Sequence, residues 1–340
     1  MKKLRVVQVG TGPYTHSFHT MSAMRALPEY YDVVGVCEPN EKDRAIAMGM
    51  EEYRGLQWLQ LEDVLQDHSL DAIIVETGEL DQGKTALLFA EAGFNIHVDK
   101  PCGDDVAVFE KLVETVQRKH LAFQVGYMLR YNPAVVRLME TIRAGKLGEI
   151  ISFEAHMSPH RYNDSFCKEL LQYMRGGMTY YLGCHLIDLM YLIQGEPEEI
   201  LPYNVSTGTR NYEGLDYGFV VYRYKHGMSF IKTSASEVSG DTRRQLVITG
   251  TKGTVEIKPF EHPIEVNGIF CANTVEMRLS YASRLPFEQR SEVVSFPPFG
   301  RYADMMIDFA RIVNGEGQNP YPPEHELAVF QLLLKSCGLH

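Results

Sequence analysis

Cysteine is scarce in this sequence and follows no pairing motif. The chain of 340 residues has six cysteines, at positions 37, 102, 167, 184, 271 and 337, and no two of them form a CxxC pair. A chain of this length buries enough apolar surface to fold without cross-links, so it does not need a disulfide scaffold. We therefore expect reduced thiols and a cytoplasmic protein.

Positive charge is also in deficit, and long apolar runs are lacking. Lys and Arg number 33 against 44 Asp and Glu, which gives a net charge of −11. Basic residues form no run, which argues against nucleic acid as a partner. The apolar start of the chain is too short for a signal peptide, and the most apolar stretch, 178–195, contains His185 and Asp188. We therefore expect neither secretion nor a membrane partner.

The first 125 residues alternate short apolar runs with helical patterns. The runs are continuous and rich in β-branched residues, which is typical of strands buried on both faces of a parallel sheet. The expected strands are Leu4–Val9, Val33–Cys37, Asp71–Val75, Asn95–Val98 and Ala122–Val125. The expected helices are 16–27, 41–50, 60–66, 82–93 and 104–119. Right-handed crossovers between such strands give an α/β, doubly wound parallel sheet.

After about residue 126 the pattern changes to one of successive hairpins. The expected elements are a helix at 133–144, a strand at Glu149–His156, a polar loop at 157–175, an apolar helix at 179–193, strands between 200 and 296, and helices at 301–314 and 324–335. Hairpin turns are indicated at 225–227 and 250–253. The sequence therefore predicts a second, α+β domain with an antiparallel sheet.

A glycine turn, Gly10-Thr11-Gly12, follows the first strand and opens a helix. The first glycine permits a tight turn and the second lets the backbone approach a pyrophosphate at the helix N-terminus. Thr15 replaces the third glycine of GxGxxG, so a purely structural turn is the alternative. Glu38 ends the second strand, where a carboxylate binds ribose hydroxyls and repels a 2′-phosphate. The turn residues 10–12 and Glu38 together predict a site for NAD. NADP is less favoured.

Lys100 follows the fourth strand in the segment His97-Val98-Asp99-Lys100-Pro101. Ligands of open α/β sheets lie beyond the carboxyl ends of the strands, so Lys100 is expected to face the crevice that holds the cofactor. Pro101 fixes the backbone directly after the lysine. The alternative is an ordinary surface lysine at the end of a strand.

Five motifs together resemble the Gfo/Idh/MocA family of sugar and cyclitol dehydrogenases. They are the glycine turn, the acid of CEPN at Glu38, DKP at 99–101, GYMLRYNP at 126–133 and GGMTYYLGCHLIDL at 176–189. The likeness extends over essentially the whole chain. It implies a Rossmann dinucleotide-binding domain at 1–125, and a substrate-binding and oligomerisation domain at 126–340 with a large, mainly antiparallel open sheet. It also implies a homodimer or homotetramer formed through that sheet.

The same resemblance implies reversible hydride transfer between nicotinamide and a secondary alcohol carbon. Lys100 matches the family lysine that contacts the reacting oxygen, and His185 matches the family histidine that handles the proton. Both roles agree with the chemistry, since an ammonium stabilises a developing alkoxide and a histidine titrates near neutral pH.

Tyr181 stands where the family has an aspartate, four residues before His185. Positions i and i+4 of an α-helix share a face, so both side chains are expected in the site. A phenol, with a pKa of about 10, relays protons but supplies no carboxylate charge. An altered substrate orientation, a tyrosine relay and a weakened dehydrogenase are the three interpretations left open.

Further substrate-binding residues are expected besides Tyr181 and His185. They are Tyr127, Arg130 and Asn132 after the fifth strand, His160 on the polar loop, and Tyr180 before Tyr181. An ion pair between the domains is the alternative role for Arg130. Asp188 either orients His185 or makes a packing contact. No ligand set for a metal is evident, because no carboxylate or cysteine stands at ligand spacing from the histidines.

Three functions follow from this sequence. The first is an NAD-dependent oxidoreductase acting on a secondary alcohol or ketone of a sugar, sugar derivative or cyclitol. The second is a redox-neutral enzyme that cleaves or eliminates a glycoside and recycles its NAD. The third is a regulatory protein that binds a nicotinamide or a sugar without catalysis.

Overall fold

A computed structural model describes residues 1–12, 15–160, 165–209, 213–266, 269–283 and 290–339. The chain divides into two units. The N-terminal unit comprises Met1–Met128 and Tyr302–Phe330, and the C-terminal unit comprises Leu129–Arg301 and Gln331–His340. Pro13 and Tyr14 of the glycine turn lie outside the described residues.

The N-terminal unit is built on a six-stranded, fully parallel sheet in the order β3-β2-β1-β4-β5-β6. Its strands are β1 (Leu4–Val9), β2 (Tyr31–Cys37), β3 (Gln57–Trp58), β4 (Ala72–Val75), β5 (Asn95–Val98) and β6 (Phe123–Val125). Its helices up to residue 128 are α1 (Ser17–Arg25), α2 (Glu41–Ala47), α3 (Leu61–Gln66), α4 (Gln82–Ala92) and α5 (Val106–Arg118). The five predicted strands and the doubly wound fold are confirmed.

The local sequence explains these elements. Every residue of β4 is buried, as expected for a strand covered on both faces. Helix α5 buries one apolar stripe and begins at Asp105, whose carboxylate accepts hydrogen bonds from two N–H groups of the first turn. Helix α4 ends at Gly93, whose φ of 99° is in the left-handed region. The two-residue strand β3 was not predicted, because so short a strand leaves no periodic pattern.

The C-terminal unit contains an eight-stranded, mainly antiparallel sheet. Its elements are α6 (Pro133–Arg143), β7 (Ile150–His156), α7 (Ser165–Tyr173), α8 (Cys184–Gln194), β8 (Glu199–Val205), β9 (Tyr217–Tyr224), β10 (Gly227–Ser234), β11 (Gln245–Gly250), β12 (Gly253–Ile257), β13 (His262–Val266), β14 (Ile269–Thr274), β15 (Glu276–Tyr281) and β16 (Arg290–Ser295). The order is β16-β15-β12-β11-β7-β10-β9-β8, and β7 with β10 is the one parallel pair described in it. Strands β13 and β14 form a separate hairpin.

Two predictions for this unit need correction. The segment expected as a polar loop, 157–175, contains the helix α7. The helix expected over 179–193 begins instead with a π-helical turn at Thr179–Gly183 and becomes α-helical only at Cys184. A π turn holds one more residue than an α turn, and no pattern of side chains in the sequence predicts it.

The last two helices, α9 (Ala303–Val313) and α10 (Pro323–Ser336), follow the C-terminal sheet in sequence. Helix α9 and the part of α10 up to Phe330 belong to the N-terminal unit. The Phe330 ring stacks on Phe109 of α5 with centroids 4.4 Å apart, and Gln124 of β6 donates a hydrogen bond to the Met305 carbonyl over 3.3 Å. In the described ranges, no helix combines the length and the apolar character needed to cross a membrane.

Candidate functional site

The glycine turn lies at the carboxyl end of β1, between the ends of β2 and β4. The Gly10 N–H donates to the Cys37 carbonyl over 2.8 Å. Gly10 has a φ of +100°, and a Cβ built on it would lie 2.3 Å from the backbone of Glu76. Only glycine fits a backbone position that is both left-handed and this close to another strand.

Replacing Gly10 with alanine is therefore expected to destabilise the protein beyond the cost of backbone strain. Gly93 is the matched control, because its φ is +99° and a Cβ built on it would meet no atom within 4 Å. We expect Gly93→Ala to lower the free energy of unfolding by about 1–3 kcal/mol, and Gly10→Ala to lower it by clearly more. Urea denaturation measures both. Equal losses of stability in the two variants would show that the close approach of a Cβ at position 10 to Glu76 adds no cost.

Thr15, which replaces the third glycine of the motif, closes the turn. Its hydroxyl donates to the Gly12 carbonyl over 2.9 Å and accepts the Ser17 N–H over 3.2 Å. The threonine thus supplies polar contacts at the start of α1 that a glycine lacks, which explains why the turn forms without the third glycine.

Glu38 occupies the end of β2 and binds the glycine turn. One oxygen of its carboxylate, Oε2, accepts hydrogen bonds from the Thr11 N–H over 2.6 Å and from the Thr11 hydroxyl over 3.0 Å. The other, Oε1, accepts the Asn40 N–H over 2.8 Å. The structure therefore brings the predicted cofactor residues Gly10, Thr11, Gly12 and Glu38 together at one edge of the sheet.

Lys100 lies at the carboxyl end of β5 in the same unit and is only 2% exposed. Its neighbour Asp99 is fixed by His16 at the start of α1, whose ring nitrogen Nδ1 is 3.0 Å from Asp99 Oδ1. The His16 N–H also donates to Asp99 Oδ2 over 3.3 Å. Burial alone raises the pKa of Asp99, but His16 and Lys100 lower it to about 2. An ionised Asp99 therefore ties the lysine segment to the helix of the glycine turn.

Two buried glutamates beside this segment were missed by the sequence reasoning. Glu76 directly follows β4, and Glu79 lies three residues further along; they are 0% and 2% exposed. Burial raises the pKa of Glu79 to about 7, and it raises the pKa of Glu76 well above its usual range. Glu76 could have been predicted as a site residue from its position directly after a strand, because parallel strands end at one edge of the sheet and bring distant residues together there.

Tyr127 also belongs to the N-terminal unit and is buried, with 2% of its surface exposed. Its N–H donates to the Val125 carbonyl over 2.8 Å, just beyond β6. The substrate-binding role predicted for it stays a prediction.

Arg130 forms a buried ion pair in the C-terminal unit. Its guanidinium donates to Asp188 through Nε over 3.0 Å and through Nη2 over 2.6 Å, and both side chains are 1% exposed. The ion pair considered for Arg130 exists, but it lies within one unit rather than between two. Asp188, three residues after His185 on α8, is held by this two-pronged contact.

Asn132, His160 and Tyr180 have different surroundings in that unit. Asn132 caps α6 by accepting the Ala134 N–H, and its amide donates to the Phe260 carbonyl over 3.0 Å. His160 is exposed and bridges Ser236 through the backbone. Tyr180 is 1% exposed and lies in the π-helical turn. The contacts of Asn132 are those of a structural residue, and the substrate-binding role of all three stays a prediction.

Tyr181 and His185 flank the point where the π turn becomes the α-helix. Tyr181 is half-buried and packs against Leu171, Met178 and Ala235, whereas His185 is 1% exposed in the first turn of α8. The α-helical spacing rule used for this pair holds only from Cys184 onward, because hydrogen bonds in the π turn span five residues. Their roles in proton transfer stay predictions.

Two family models match the chain, one in each of its two parts. The profile described as "Oxidoreductase family, NAD-binding Rossmann fold" matches residues 4–127, and the profile "GFO/IDH/MocA C-terminal domain" matches residues 135–256. The chain belongs to the Gfo/Idh/MocA oxidoreductase family. The Rossmann assignment made from the five motifs is thereby confirmed.

Known members of the Gfo/Idh/MocA family resemble the chain at low identity. Dehydrogenase AclE of Aspergillus oryzae is 25% identical over 68% of this chain and 69% of its own. D-Xylose 1-dehydrogenase (NADP(+)) of Hypocrea jecorina is 23% identical over 57% of this chain, and the chain spans about half, 54%, of its length. The structure of a levoglucosan dehydrogenase in complex with NADH and levoglucosan superposes with a TM-score of 0.79 at 16% identity, over 99% of this chain and 98% of that one.

The N-terminal unit fits a nicotinamide dinucleotide. Gly10 and Gly12 carry no side chain that would hinder a pyrophosphate, and Glu38 places a carboxylate beside Thr11, where the ribose hydroxyls would bind. In the part of the chain that the structure describes, no group of three or more His, Cys, Asp or Glu residues is arranged to hold a metal ion.

Proposed function

We propose that this protein is an NAD-dependent oxidoreductase that acts on a secondary alcohol or ketone of a sugar, sugar derivative or cyclitol. The observation that carries the proposal is the buried Lys100 at the carboxyl end of β5, in the same unit and at the same sheet edge as the glycine turn. A buried ammonium at this edge is suited to bind an oxygen on which negative charge develops. The sugar dehydrogenases among its relatives support the substrate class.

The cofactor preference follows from Glu38. Its carboxylate faces the turn with 6% of the residue exposed, so a 2′-phosphate at the same place meets a buried negative charge. We therefore propose NAD rather than NADP. A nicotinamide dinucleotide held by the glycine turn and Glu38 would supply the hydride chemistry at the substrate carbon.

Each chain residue then has one task. Lys100 binds and polarises the reacting oxygen. His185 accepts the hydroxyl proton during oxidation and returns it during reduction, with Tyr181 as the neighbouring donor or acceptor on the preceding turn. Tyr127, Arg130, Asn132, His160 and Tyr180 are the candidates for contacts to the remaining substrate hydroxyls.

A single-turnover experiment tests this function. Purified protein loaded with stoichiometric NAD is exposed to pooled sugars, sugar acids, glycosides and cyclitols, and reduced nicotinamide is followed by its absorbance. Reduction of the bound NAD, followed by release of free NADH when the enzyme is diluted, is the expected result. The proposal fails if the protein binds NAD but no pool yields reduced nicotinamide, which is the outcome expected of a regulatory binding protein.

Tyr181 also supports a second candidate function, a redox-neutral enzyme, because this chain has no carboxylate at the position where the family has an aspartate. A redox-neutral enzyme that cleaves a glycoside gives enzyme-bound reduced nicotinamide that disappears again without free NADH. The same experiment therefore separates the two enzymes.

Tyr181→Asp is expected to raise the rate of hydride transfer if tyrosine weakens the site, by about tenfold for an acid–base group of improved charge. Tyr173→Asp is the control, because Tyr173 is 56% exposed in the same unit. The rate constant is measured in the single-turnover assay. An unchanged or lower rate with Tyr181→Asp would show that the phenol itself serves the reaction.

The edge strand β8 supports the proposed homodimer or homotetramer. Three apolar side chains on it, Leu201, Tyr203 and Val205, are 37%, 57% and 48% exposed. Exposed apolar rows on a sheet are typical of surfaces that another chain covers. Sedimentation velocity measures the oligomeric state.

A further inference from the structure

Three neighbouring strands of the N-terminal unit end in chemically distinct residues. Strand β4 lies between β1 and β5; Glu76 follows β4, Gly10 follows β1 and Asp99 follows β5. The Glu76 N–H donates to the Val9 carbonyl over 2.7 Å, and the Asp99 N–H donates to the Val75 carbonyl over 3.0 Å. Glu76 therefore lies between the glycine turn and the lysine segment.

The loop after β4 carries Glu79 along the same lysine segment. The Cys102 N–H donates to the Gln82 side chain over 3.0 Å. A Cβ built on Gly83 would lie 2.8 Å from the Cys102 carbonyl, and one built on Gly103 would lie 4.0 Å from the carbonyl of Glu79 itself. The start of α4 and the loop before it therefore lie against the lysine segment, through the Gln82 side chain and through close approaches of the backbone.

Four ionisable side chains are buried where these loops meet. Glu76, Glu79, Asp99 and Lys100 are each at most 3% exposed. Oxygen Oε1 of Glu79 is fully buried and makes no hydrogen bond to any part of the chain that the structure describes. Lys100 and His16 together cannot neutralise three carboxylates, and an uncompensated charge is costly in a buried site, so the carboxyl groups must differ in protonation.

Their surroundings assign a different state to each carboxyl group. Asp99 is ionised, because it pairs with His16. Burial and the charge of Asp99 raise the pKa of Glu76 well above its usual range, which favours the protonated form. Glu79 faces the charges of Lys100 and Asp99; burial raises its pKa and Lys100 opposes the rise, which leaves a value of about 7. Glu79 is thus the group of the three that changes protonation near neutral pH.

We propose that Glu79 exchanges a proton with Lys100 during the reaction and so acts as a second proton acceptor on the N-terminal unit. This inference rests on the proposed function. By this route, which takes the place of transfer to His185, the hydroxyl proton passes to the Lys100 amino group as that group gives one of its own protons to the Glu79 carboxylate. The hydride leaves with both electrons of the C–H bond, and the hydroxyl oxygen becomes the carbonyl oxygen. Reduction runs the same exchange in reverse, so atoms and charge balance.

The exchange gives Lys100 a carboxylate that accepts a proton near neutral pH, whereas Asp99 stays ionised in its pair with His16. Tyr181 occupies the position at which the family resemblance implies an aspartate, and a phenol supplies no negative charge at neutral pH. Glu79 supplies that charge next to the lysine instead. It acts through Lys100 and is therefore a positioning and proton-exchanging residue.

Infrared titration of the protein without cofactor or substrate tests the pairing. We expect a protonated carboxyl band with a midpoint near 7 that is absent from Glu79→Gln and present in Glu91→Gln, an exposed glutamate at the end of α4. In Lys100→Met the midpoint is expected to rise, because the cation that lowers the pKa of Glu79 is lost. A carboxyl band that still titrates near 7 in Glu79→Gln overturns the proposal. A midpoint that Lys100→Met leaves unchanged overturns it as well.

Single-turnover kinetics then test the role in the reaction. Glu79→Gln is expected to slow hydride transfer by about 10²-fold, as for loss of an acid–base group, and Glu79→Asp to recover part of the rate. A wild-type rate in Glu79→Gln overturns the proton exchange. Failure of the proposed function has a different signature, since wild-type protein then reduces no nicotinamide while the infrared titration still shows the coupling between Glu79 and Lys100.

Discussion

Lys100→Met is expected to lower the single-turnover rate of hydride transfer by about 10²–10³-fold, the loss found when a buried donor to a developing oxyanion is removed. The lysine is 2% exposed at the end of β5, so its ammonium is poorly solvated and acts strongly on a nearby oxygen. Methionine keeps the length of the side chain and removes the charge.

The matched control is Lys84→Met, because Lys84 is an exposed lysine on α4 of the same unit. It should retain the wild-type rate with the substrate found in the pooled assay. Circular dichroism verifies that both variants are folded, since Lys100→Met also removes the cation beside three buried carboxyl groups. A folded Lys100→Met protein that turns over at the wild-type rate would contradict the role of the lysine.

Asp188→Asn is expected to lower the free energy of unfolding by about 3–5 kcal/mol, because it removes the negative charge that pairs with the buried Arg130 guanidinium. Both side chains are 1% exposed, and the shortest of their hydrogen bonds is 2.6 Å long. Urea denaturation followed by circular dichroism measures the loss.

An exposed pair in the same unit provides the comparison. Glu196 and Lys335 are 3.3 Å apart, and their side chains are 54% and 49% exposed, so Glu196→Gln should cost only about 0–1 kcal/mol. The double variant Arg130→Met, Asp188→Leu replaces the pair with apolar groups and should recover most of the loss. Equal losses for Asp188→Asn and Glu196→Gln would show that the buried pair contributes no more than a surface pair.

The sequence predicts the N-terminal sheet well for a physical reason. Strand β4 is covered on both faces and reads as an unbroken apolar run, whereas β1 is apolar at four of its six positions; the turn residues after each strand mark where it ends. Helix α7 was missed because it spans only nine residues, and the segment around it is polar and aromatic. The π turn at Thr179–Gly183 was missed because it differs from an α turn in backbone geometry alone.

The candidate site was predictable only where its residues are close in sequence. Gly10, Thr11 and Gly12 are adjacent, and Lys100 belongs to a short motif. The contacts of Lys100 with Glu76 and Glu79 depend on which strands are neighbours, and sequence spacing does not reveal that. The pairing of Arg130 with Asp188 joins residues 58 positions apart, for the same reason.

The N-terminal unit is discontinuous in sequence, and this matters for how the protein is made. Helix α9 and the first part of α10 complete it, yet they are synthesised after residues 129–301. Until then Phe109 lacks its stacking partner Phe330, and His97 lacks the ring of Phe309, 5.6 Å away in the finished protein. On the ribosome, the nucleotide-binding unit therefore exposes this apolar surface until residues 302–330 have emerged, long after the strands of its own sheet.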